Sequence, residues 1–172
     1  MNIQENISLK PYNTFGIDVK ARFFVEVQSL LQLQKVLELT AYPNRFFLGG
    51  GSNMLLTQDI DALVILLNLK GIAVVEEDED YVWVEAKAGE NWHDFVRWCL
   101  ERNYGGLENL SFIPGNVGTA PIQNIGAYGV ELKDVFAHCN AMEIATAEMF
   151  EFDKEFCQFG YRDSIFKTKA KG

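Results

Sequence analysis

The spacing of apolar residues in the first seventy positions predicts a strand, a helix and two further strands. β-Branched and aromatic side chains in residues 21–27 (ARFFVEV) favour a strand. Ser29, with Gln32 three positions later, forms the pattern of a capping box before a helical run of leucines. Residues 45–48 (RFFL) predict a short strand and residues 63–69 (LVILLNL) a fully buried one. A glycine-rich turn lies between these two strands.

Gly71 marks a plausible boundary, because a new alternating pattern begins after it. Residues 72–75 and 81–88 (YVWVEAKA) predict two strands, and the acidic run EEDED at 76–80 lies between them. Consecutive acids repel and do not all face one cation, so we interpret this run as a solvated hairpin tip. We place a boundary between two units here, residues 1–70 and residues 71–172.

The second unit continues with a helix and then loses its regular pattern. Asn91 is placed to cap a helix that runs through Arg102. Residues 105–129 are irregular, and two strands are predicted near 140–145 and 149–152. Asp153 is expected to cap a short turn after the last strand.

Composition and charge narrow the class of protein. Hydrophobic residues make up 48% of the 172 residues, which is enough for a packed core. The net charge of −9 argues against nucleic acid or an acidic membrane surface as a partner. An anionic small molecule stays open, because a local site can oppose the global charge. The longest aliphatic run is far too short for a membrane span, and the N-terminus has no secretion signal.

The cysteines and histidines point to a reducing compartment and to no metal. Cys99, Cys139 and Cys157 form an odd set without CxxC spacing, as expected for buried reduced thiols. His93 and His138 are far apart, and neither has a second ligand at helical spacing. We therefore expect a cytoplasmic protein without a catalytic metal.

The first candidate site is the glycine loop, residues 49–53, within FLGGGSNML. Glycines allow consecutive backbone N–H groups to turn towards one point and a ligand to approach closely, which suits a phosphate or diphosphate. Ser52 and Asn53 add side-chain donors. The loop is neither a Walker loop nor a GxGxxG motif, because no Lys follows and the spacing differs. A tight turn between two buried strands explains the glycines about equally well.

The second candidate is an apolar stretch with many chain breakers, SFIPGNVGTAPIQNIGAYGVE at residues 111–131. It holds four of the 14 glycines and two of the four prolines. Its polar residues Asn116, Thr119, Gln123 and Asn124 are placed to bond the edges of a flat ligand such as a flavin. The alternative is a long structural loop. Such loops are uncommon in compact domains unless they are functional, so the pattern favours a ligand.

The third candidate is Arg162, in GYRDS. A guanidinium there is able to bind a carboxylate with two parallel hydrogen bonds. No Lys or Arg lies between Arg102 and Glu131, so a carboxylate ligand near the second stretch needs a cation from another segment. A salt bridge to Asp163 or to another acid is the competing interpretation, and on this residue alone it is the stronger one.

Five motifs together resemble one family. They are YNTFGI at residues 12–17, LGGGSN at 48–53, KAGENW at 87–92, GLENLSFIPGNVGTAPIQNIGAYGVE at 106–131 and FGYRDSIFK at 159–167. In this order and spacing they resemble the UDP-N-acetylenolpyruvoylglucosamine reductases of bacterial peptidoglycan synthesis. The resemblance covers nearly the whole chain, and the combination of motifs is highly specific.

The resemblance implies an α+β fold of the vanillyl-alcohol-oxidase type, in which two subdomains clamp one FAD. The glycine loop would hold the FAD diphosphate, and the second stretch would run along the flavin with Tyr128 near the ring. The implied cofactor-binding residues are Gly49, Gly50, Gly51, Ser52, Asn53, Ile113, Pro114, Gly115, Val117, Gly118, Thr119, Ile122, Gly126 and Tyr128. We expect the FAD to be non-covalent, because neither stretch contains His or Cys.

The resemblance also implies an activity. The family uses NADPH to reduce FAD, and the reduced flavin then reduces the enolpyruvyl group of a UDP-sugar. Arg162 matches the catalytic arginine that binds the enolpyruvyl carboxylate, and Gln123 and Tyr161 would contact substrate. No obligate protein partner is implied.

The chain is shorter than the family's members. The family's serine, glutamate and substrate-binding domain come from a part beyond residue 172. We therefore interpret the chain as the N-terminal FAD-binding portion and expect no turnover from it alone. A non-catalytic flavin- or nucleotide-binding module is the alternative function. A related flavin oxidase would fit the fold but not the GYRDSIFK motif.

Overall fold

A computed structural model describes residues 2–170, and its first part is a four-stranded sheet with one helix. The elements are β1 (Gln4–Ser8), β2 (Lys20–Val27), α1 (Leu30–Leu37), β3 (Arg45–Leu48) and β4 (Ile60–Leu67). The strand order is β1-β2-β4-β3. β1 is antiparallel to β2, whereas β2 and β3 are both parallel to β4. The predicted strand, helix, strand, turn and strand are confirmed, although β4 begins and ends earlier than residues 63–69.

The cap of α1 differs in one detail from the predicted capping box. The backbone N–H of Gln32 donates to Ser29 Oγ at 3.2 Å, as expected. The Gln32 side chain, however, accepts from the N–H of Gln28 at 2.8 Å, one residue before the cap. The long Gln side chain reaches past the extended Ser29, so the reciprocal half of the box is not formed.

The sheet buries apolar side chains on both faces, because successive residues of a strand point to opposite sides. Val25 of β2 and Ile65 of β4 belong to one cluster, which α1 covers with Val36. Phe24 and Val64, their immediate neighbours, belong to a second cluster on the opposite face, which also contains buried Leu9 and Leu48. Continuous apolar runs, rather than alternation, are therefore the signature of these strands.

The second part begins with a hairpin and a helix. β5 (Ile72–Glu77) and β6 (Val82–Ala86) pair antiparallel. Residues 78–80 form the exposed acidic tip, as predicted, whereas Glu76 and Glu77 belong to β5. α2 (Trp92–Leu100) begins at its cap Asn91, whose Oδ1 accepts from the N–H of Asp94 at 3.1 Å. The helix ends two residues before the predicted Arg102. Asn103 adopts a left-handed backbone (φ 60°), which terminates the helical turn.

A second core forms under α2. Buried Trp92, Phe95 and Val96 of the helix pack with Leu110 and Ile125, which come from the irregular stretch. Short 3₁₀ turns and the two-residue strands β7 (Gly126–Ala127) and β8 (Val130–Glu131) give that stretch its only regular pieces between residues 105 and 131. Some apolar side chains of the second candidate stretch, such as Ile125, are therefore part of the protein core.

The last strands form a separate hairpin, β9 (His138–Met142) and β10 (Met149–Asp153). It lies about where the sequence predicts, with β9 beginning two residues earlier than expected. Met142 and Ile144 pack against the cluster between α1 and the four-stranded sheet. Asp153 caps the turn that follows, because its Oδ1 accepts from the N–H of Phe156 at 2.8 Å. Within residues 2–170, no helix is both long and apolar enough to cross a bilayer.

The cysteines are free thiols. Cys99 and Cys157 are buried and Cys139 is half-buried. Burial in apolar surroundings raises the pKa of Cys99 to about 11 and that of Cys139 to about 12. Over the described part of the chain, no group of three or more His, Cys, Asp or Glu side chains is arranged to hold a metal ion.

Candidate functional site

The glycine loop follows directly from the buried end of β3. Gly51 has a left-handed backbone (φ 60°), and a Cβ placed on it would lie 2.0 Å from the carbonyl oxygen of Tyr12. No side chain fits in that space, so glycine is required at this position by both conformation and contact. The loop is pressed against the turn that contains Tyr12.

The glycine loop also lies against the second candidate stretch. A Cβ on Gly49 would be 3.0 Å from the Thr119 side chain. A Cβ on Gly50 would be 2.9 Å from Asn116 Oδ1 and 3.3 Å from the Gly115 Cα. The structure therefore brings the first two predicted stretches together, through close backbone approach at residues 49–50 and 115–119.

The backbone N–H groups of the glycine loop are its candidate ligand-binding groups. Among residues 2–170, no turn or loop hydrogen bond uses a backbone N–H from residues 49–53. Gly49, Gly50 and Ser52 are half-buried and Gly51 is buried. Successive backbone N–H groups that converge on one point form a favourable binding site for an anion. These N–H groups are available to a ligand, as the diphosphate interpretation requires.

A cavity of about 320 Å³ opens beside the glycine loop. It is lined by Pro11, Tyr12, Asn13, Thr14, Gly49, Gly50 and Leu66. Its lining combines apolar residues with the polar residues Asn13 and Thr14, which is the usual character of a small-molecule site. The cavity and the unused donors share Gly49 and Gly50.

The first half of the second stretch is held by a segment that sequence reasoning did not assign to it. The N–H groups of Val117 and Gly118 donate to the carbonyls of Glu90 and Ala88, at 2.9 and 3.0 Å. The N–H of Trp92 returns a bond to the Gly115 carbonyl at 3.0 Å. Backbone hydrogen bonds from residues 88–92 therefore hold residues 115–118 in place.

Packing, rather than a ligand, explains one of the glycines in this stretch. A Cβ on Gly118 would lie 2.6 Å from the Ala88 Cβ. Thr119 uses its hydroxyl internally, as a donor to the Asn116 carbonyl at 2.8 Å. Proposed ligand contacts from Thr119 are therefore limited to its other atoms and to its hydroxyl as an acceptor.

Asn124 does not face a ligand, and its predicted role at a ligand edge is wrong. Its side chain is fully buried. Nδ2 donates to the Gly160 carbonyl at 2.9 Å, and Oδ1 accepts from the N–H of Lys133 at 3.1 Å. Its left-handed backbone (φ 41°) suits Asn. Asn124 instead ties the second stretch to the segment that carries Arg162.

Arg162 lies in a tight turn, which the hydrogen bond from Asn124 to the Gly160 carbonyl helps to hold in place. The backbones of Gly160 and Asp163 bond each other in both directions, at 3.0 and 3.3 Å. Ser164, which is buried, donates from Oγ to the Ile122 carbonyl at 2.7 Å. The arginine turn, residues 160–164, therefore contacts the second half of the second stretch.

The Arg162 side chain itself is exposed and bonds to backbone. A guanidinium nitrogen donates to the Gly126 carbonyl at 2.7 Å. No carboxylate of residues 2–170 forms a salt bridge with it, so the salt-bridge interpretation is wrong for the part of the chain described. One hydrogen bond leaves further guanidinium N–H groups available to a ligand. Arg162 also has a left-handed backbone (φ 52°), which is uncommon for a long side chain.

The remaining predicted residues differ in exposure. Tyr128 and Tyr161 project almost fully into solvent, at 89% and 86%. Ile122, Pro114 and Asn53 are exposed, whereas Ile113, Val117 and Gln123 are half-buried.

Sequence reasoning missed two supports of the site. The sequence pattern gave Asn13 no role beyond its place in the YNTFGI motif, yet the turn around Asn13 packs against the glycine loop. Ser164 and Asn124 hold the arginine turn through buried bonds. The available signal was the presence of polar residues inside otherwise apolar motifs, because a buried Asn or Ser must have partners.

The comparisons with known proteins agree with this geometry. Residues 21–148 match the FAD binding domain family. The chain therefore belongs to that family, and the predicted α+β FAD-binding fold is confirmed.

The individual relatives are more specific. The chain is 58% identical over 171 residues to the UDP-N-acetylenolpyruvoylglucosamine reductase of Flavobacterium johnsoniae, covering 99% of this chain and 51% of the relative. It is 55% identical over 166 residues to the enzyme of that name from Pseudomonas putida, covering 95% and 49%. The crystal structure of UDP-N-acetylenolpyruvylglucosamine reductase (MurB) from Thermus caldophilus superimposes with a TM-score of 0.75 at 25% identity, over 95% of this chain and 57% of that one. The resemblance drawn from the motifs is confirmed, and the chain spans about half the length of the curated relatives it matches.

Proposed function

We propose that this chain is the FAD-binding portion of an NADPH-dependent UDP-N-acetylenolpyruvoylglucosamine reductase. The whole enzyme would reduce UDP-N-acetylglucosamine enolpyruvate to UDP-N-acetylmuramate for peptidoglycan synthesis, in the cytoplasm. The observation that carries the proposal is the glycine loop: its backbone N–H groups donate no hydrogen bond among residues 2–170, and its Gly49 and Gly50 lie in close contact with residues 115–119. A bound FAD would supply hydride transfer between the nicotinamide and the substrate.

The two ends of the site take different parts of the cofactor in this proposal. Gly49, Gly50 and Gly51 with Ser52 and Asn53 bind the diphosphate. Residues 113–119 and Gly126 present backbone to the flavin, with Ile122 and Tyr128 against the ring. The exposure of Tyr128 leaves its side chain available for such a contact.

Arg162 is proposed to bind the carboxylate of the enolpyruvyl group. Addition of hydride to a conjugated carboxylate places negative charge on that group, where a fixed cation lowers the barrier most. Its hydrogen bond to the Gly126 carbonyl supports this role, because Gly126 belongs to the stretch proposed to face the flavin. Gln123 and Tyr161 are proposed as further substrate contacts, because they belong to the same two segments.

FAD binding is tested on the purified chain. We expect the protein, after incubation with FAD and removal of free cofactor, to show a flavin absorption spectrum in about equimolar amount. Denaturation should release all the colour, because no covalent tether is proposed. A chain that retains no flavin contradicts the proposed function, and colour that stays with the denatured chain contradicts non-covalent binding.

The alternative is a non-catalytic flavin- or nucleotide-binding module. The two functions differ in a full-length protein that contains this chain. Oxidation of NADPH that depends on the enolpyruvyl substrate supports the reductase, whereas flavin binding without such turnover supports the module.

A further inference from the structure

We propose that Asn13 is a positioning residue for the glycine loop. By closing the turn around it, Asn13 holds the Thr14 peptide against Gly51 and so directs the N–H groups of residues 49–53 towards a diphosphate. The inference rests on the proposed binding of FAD.

The first step is the state of the Asn13 side chain. It is buried, with 7% of its surface exposed. Nδ2 donates to the carbonyls of Leu9 and Ile17, at 2.7 and 3.0 Å, and Oδ1 accepts from the N–H of Ile17 at 3.0 Å. Both amide donors are used within the turn, so Asn13 does not act by donating to a ligand. It ties two backbone points, eight residues apart, to one side chain.

The second step is the contact between this turn and the glycine loop. The Thr14 N–H donates to the Gly51 carbonyl at 3.1 Å, and the Thr14 hydroxyl lies 3.5 Å from the same oxygen. On the other side of this bond, the Tyr12 carbonyl occupies the space that a Gly51 Cβ would need. The peptides on both sides of Asn13 therefore interlock with Gly51.

The third step is the consequence for the ligand donors. Gly51 directs its carbonyl towards Thr14 and has a left-handed backbone. In a nest, a left-handed residue next to a right-handed one makes neighbouring backbone N–H groups converge on an anion, and Gly51 supplies the left-handed conformation. The cavity of about 320 Å³ lies between this same turn and Gly49 and Gly50. Loosening the turn would therefore change the site by moving the glycine loop, because both Asn13 amide hydrogens are already bonded to Leu9 and Ile17.

A purely structural role for Asn13 is the competing explanation, and binding measurements separate the two. Asn13→Asp keeps the shape and removes both donors, placing a negative charge against two carbonyls. Asn13→Ala removes the bonds without adding charge. Asn68→Asp is the matched control, because Asn68 is half-buried and its side chain donates to Glu26 at 2.6 Å, with no side-chain hydrogen bond among residues 2–170 to the Asn13 turn or the glycine loop.

The dissociation constant for FAD is measured by flavin fluorescence titration on the 172-residue chain. We expect either Asn13 variant to bind FAD about tenfold more weakly or worse, the size of effect that lost buried hydrogen bonds produce. Asn68→Asp should lower the thermal midpoint and leave the dissociation constant within about twofold of wild type.

A double-mutant cycle supplies a readout that general destabilisation does not move. Gly50→Ala damages the glycine loop directly. If Asn13 acts through that loop, the losses of FAD affinity from Asn13→Ala and Gly50→Ala should be strongly non-additive. The double variant should then bind FAD about as weakly as the single variant that has the lower affinity. The ³¹P resonances of bound FAD should also shift in Asn13→Ala and match wild type in Asn68→Asp.

Each outcome decides the proposal. Wild-type protein that does not bind FAD overturns the proposed function and this inference with it. Wild-type binding with an unchanged dissociation constant in Asn13→Ala, or additive losses in the cycle, overturns the inference alone. Failure of both Asn13 variants to fold, while Asn68→Asp folds, assigns Asn13 a structural role and also overturns it.

Discussion

The glycine loop and the arginine turn are both unusual backbone segments, yet they differ in what holds them. The glycine loop leaves its N–H groups unused and is fixed by close backbone contact, with room for no side chain at Gly51. The arginine turn is fixed by buried side chains, Asn124 and Ser164, each of which bonds across more than thirty residues. In the proposed function, the glycine loop contributes backbone N–H groups and the arginine turn contributes a side chain.

This difference suggests how each segment tolerates change. A site made of backbone donors fails when a Cβ is added, because nothing else in the loop gives way. A site made of one side chain fails when that side chain or its orientation is lost. The predictions below test this contrast, from the largest expected effect to the smallest.

Gly51→Ala should have the largest effect. Its Cβ would meet the Tyr12 carbonyl at 2.0 Å in a left-handed backbone, so both strain and a clash are introduced. We expect loss of measurable FAD binding and a fall in unfolding free energy of roughly 2 kcal/mol or more. Urea denaturation and FAD titration check this. Gly105→Ala is the control, because its Cβ would meet no atom within 4 Å. Equal effects in the two variants would contradict the account.

Arg162→Ala should leave FAD bound and impair the chemical step. In a full-length protein that contains this chain, we expect reoxidation of the reduced cofactor by substrate to slow by about a hundredfold or more. Arg162→Lys should not rescue the rate, because Lys lacks the planar pair of donors. Stopped-flow absorbance measures this rate. A wild-type rate in Arg162→Ala would exclude a catalytic role.

Asn124→Ala should destabilise the fold without touching a ligand contact. It leaves the Gly160 carbonyl and the Lys133 N–H without their partner, a loss of about 1–3 kcal/mol in unfolding free energy. Asn103→Ala is the matched control, since Asn103 has the same left-handed backbone but is exposed. The difference between the two variants, measured by urea unfolding, isolates the buried bonds. No difference would assign the cost to backbone strain alone.

The smallest effect concerns pH. Burial raises the pKa of Cys99 from its ordinary value to about 11 in the folded chain. The folded state therefore holds this proton more tightly than the unfolded state, so its contribution is complete below pH 9 and is lost between about pH 9 and 11. We expect the unfolding free energy to decline over this range and Cys99→Ala to decline less steeply. Parallel pH profiles for the two proteins would contradict this assignment.

Much of the fold was predictable because its signals are local. Continuous apolar runs located β3 and β4, and the caps Ser29 and Asn91 located both helices. Element ends were less accurate, since they depend on conformations such as the left-handed Asn103 that ends α2. β1 was not predicted, because its short polar sequence becomes a strand only by pairing with β2.

The site was predictable as a set of segments and not as a set of contacts. Glycines and a lone arginine identified the glycine loop, the second stretch and Arg162. The sequence could not show that the Asn124 side chain forms hydrogen bonds with the backbones of Gly160 and Lys133, because those partners are distant in the chain. Likewise, a glycine at position 118 predicts a ligand contact in the sequence, yet in the structure Gly118 packs against Ala88.

The most direct test of the central claim is the affinity of Gly50→Ala for FAD. Gly50 carries no left-handed strain, and its Cβ would project between the glycine loop and Asn116, where the two segments meet. The account predicts that this variant stays folded and binds FAD about tenfold more weakly or worse, because the backbone no longer allows close approach. A folded Gly50→Ala chain with wild-type affinity for FAD would contradict the assignment of this loop as the diphosphate site.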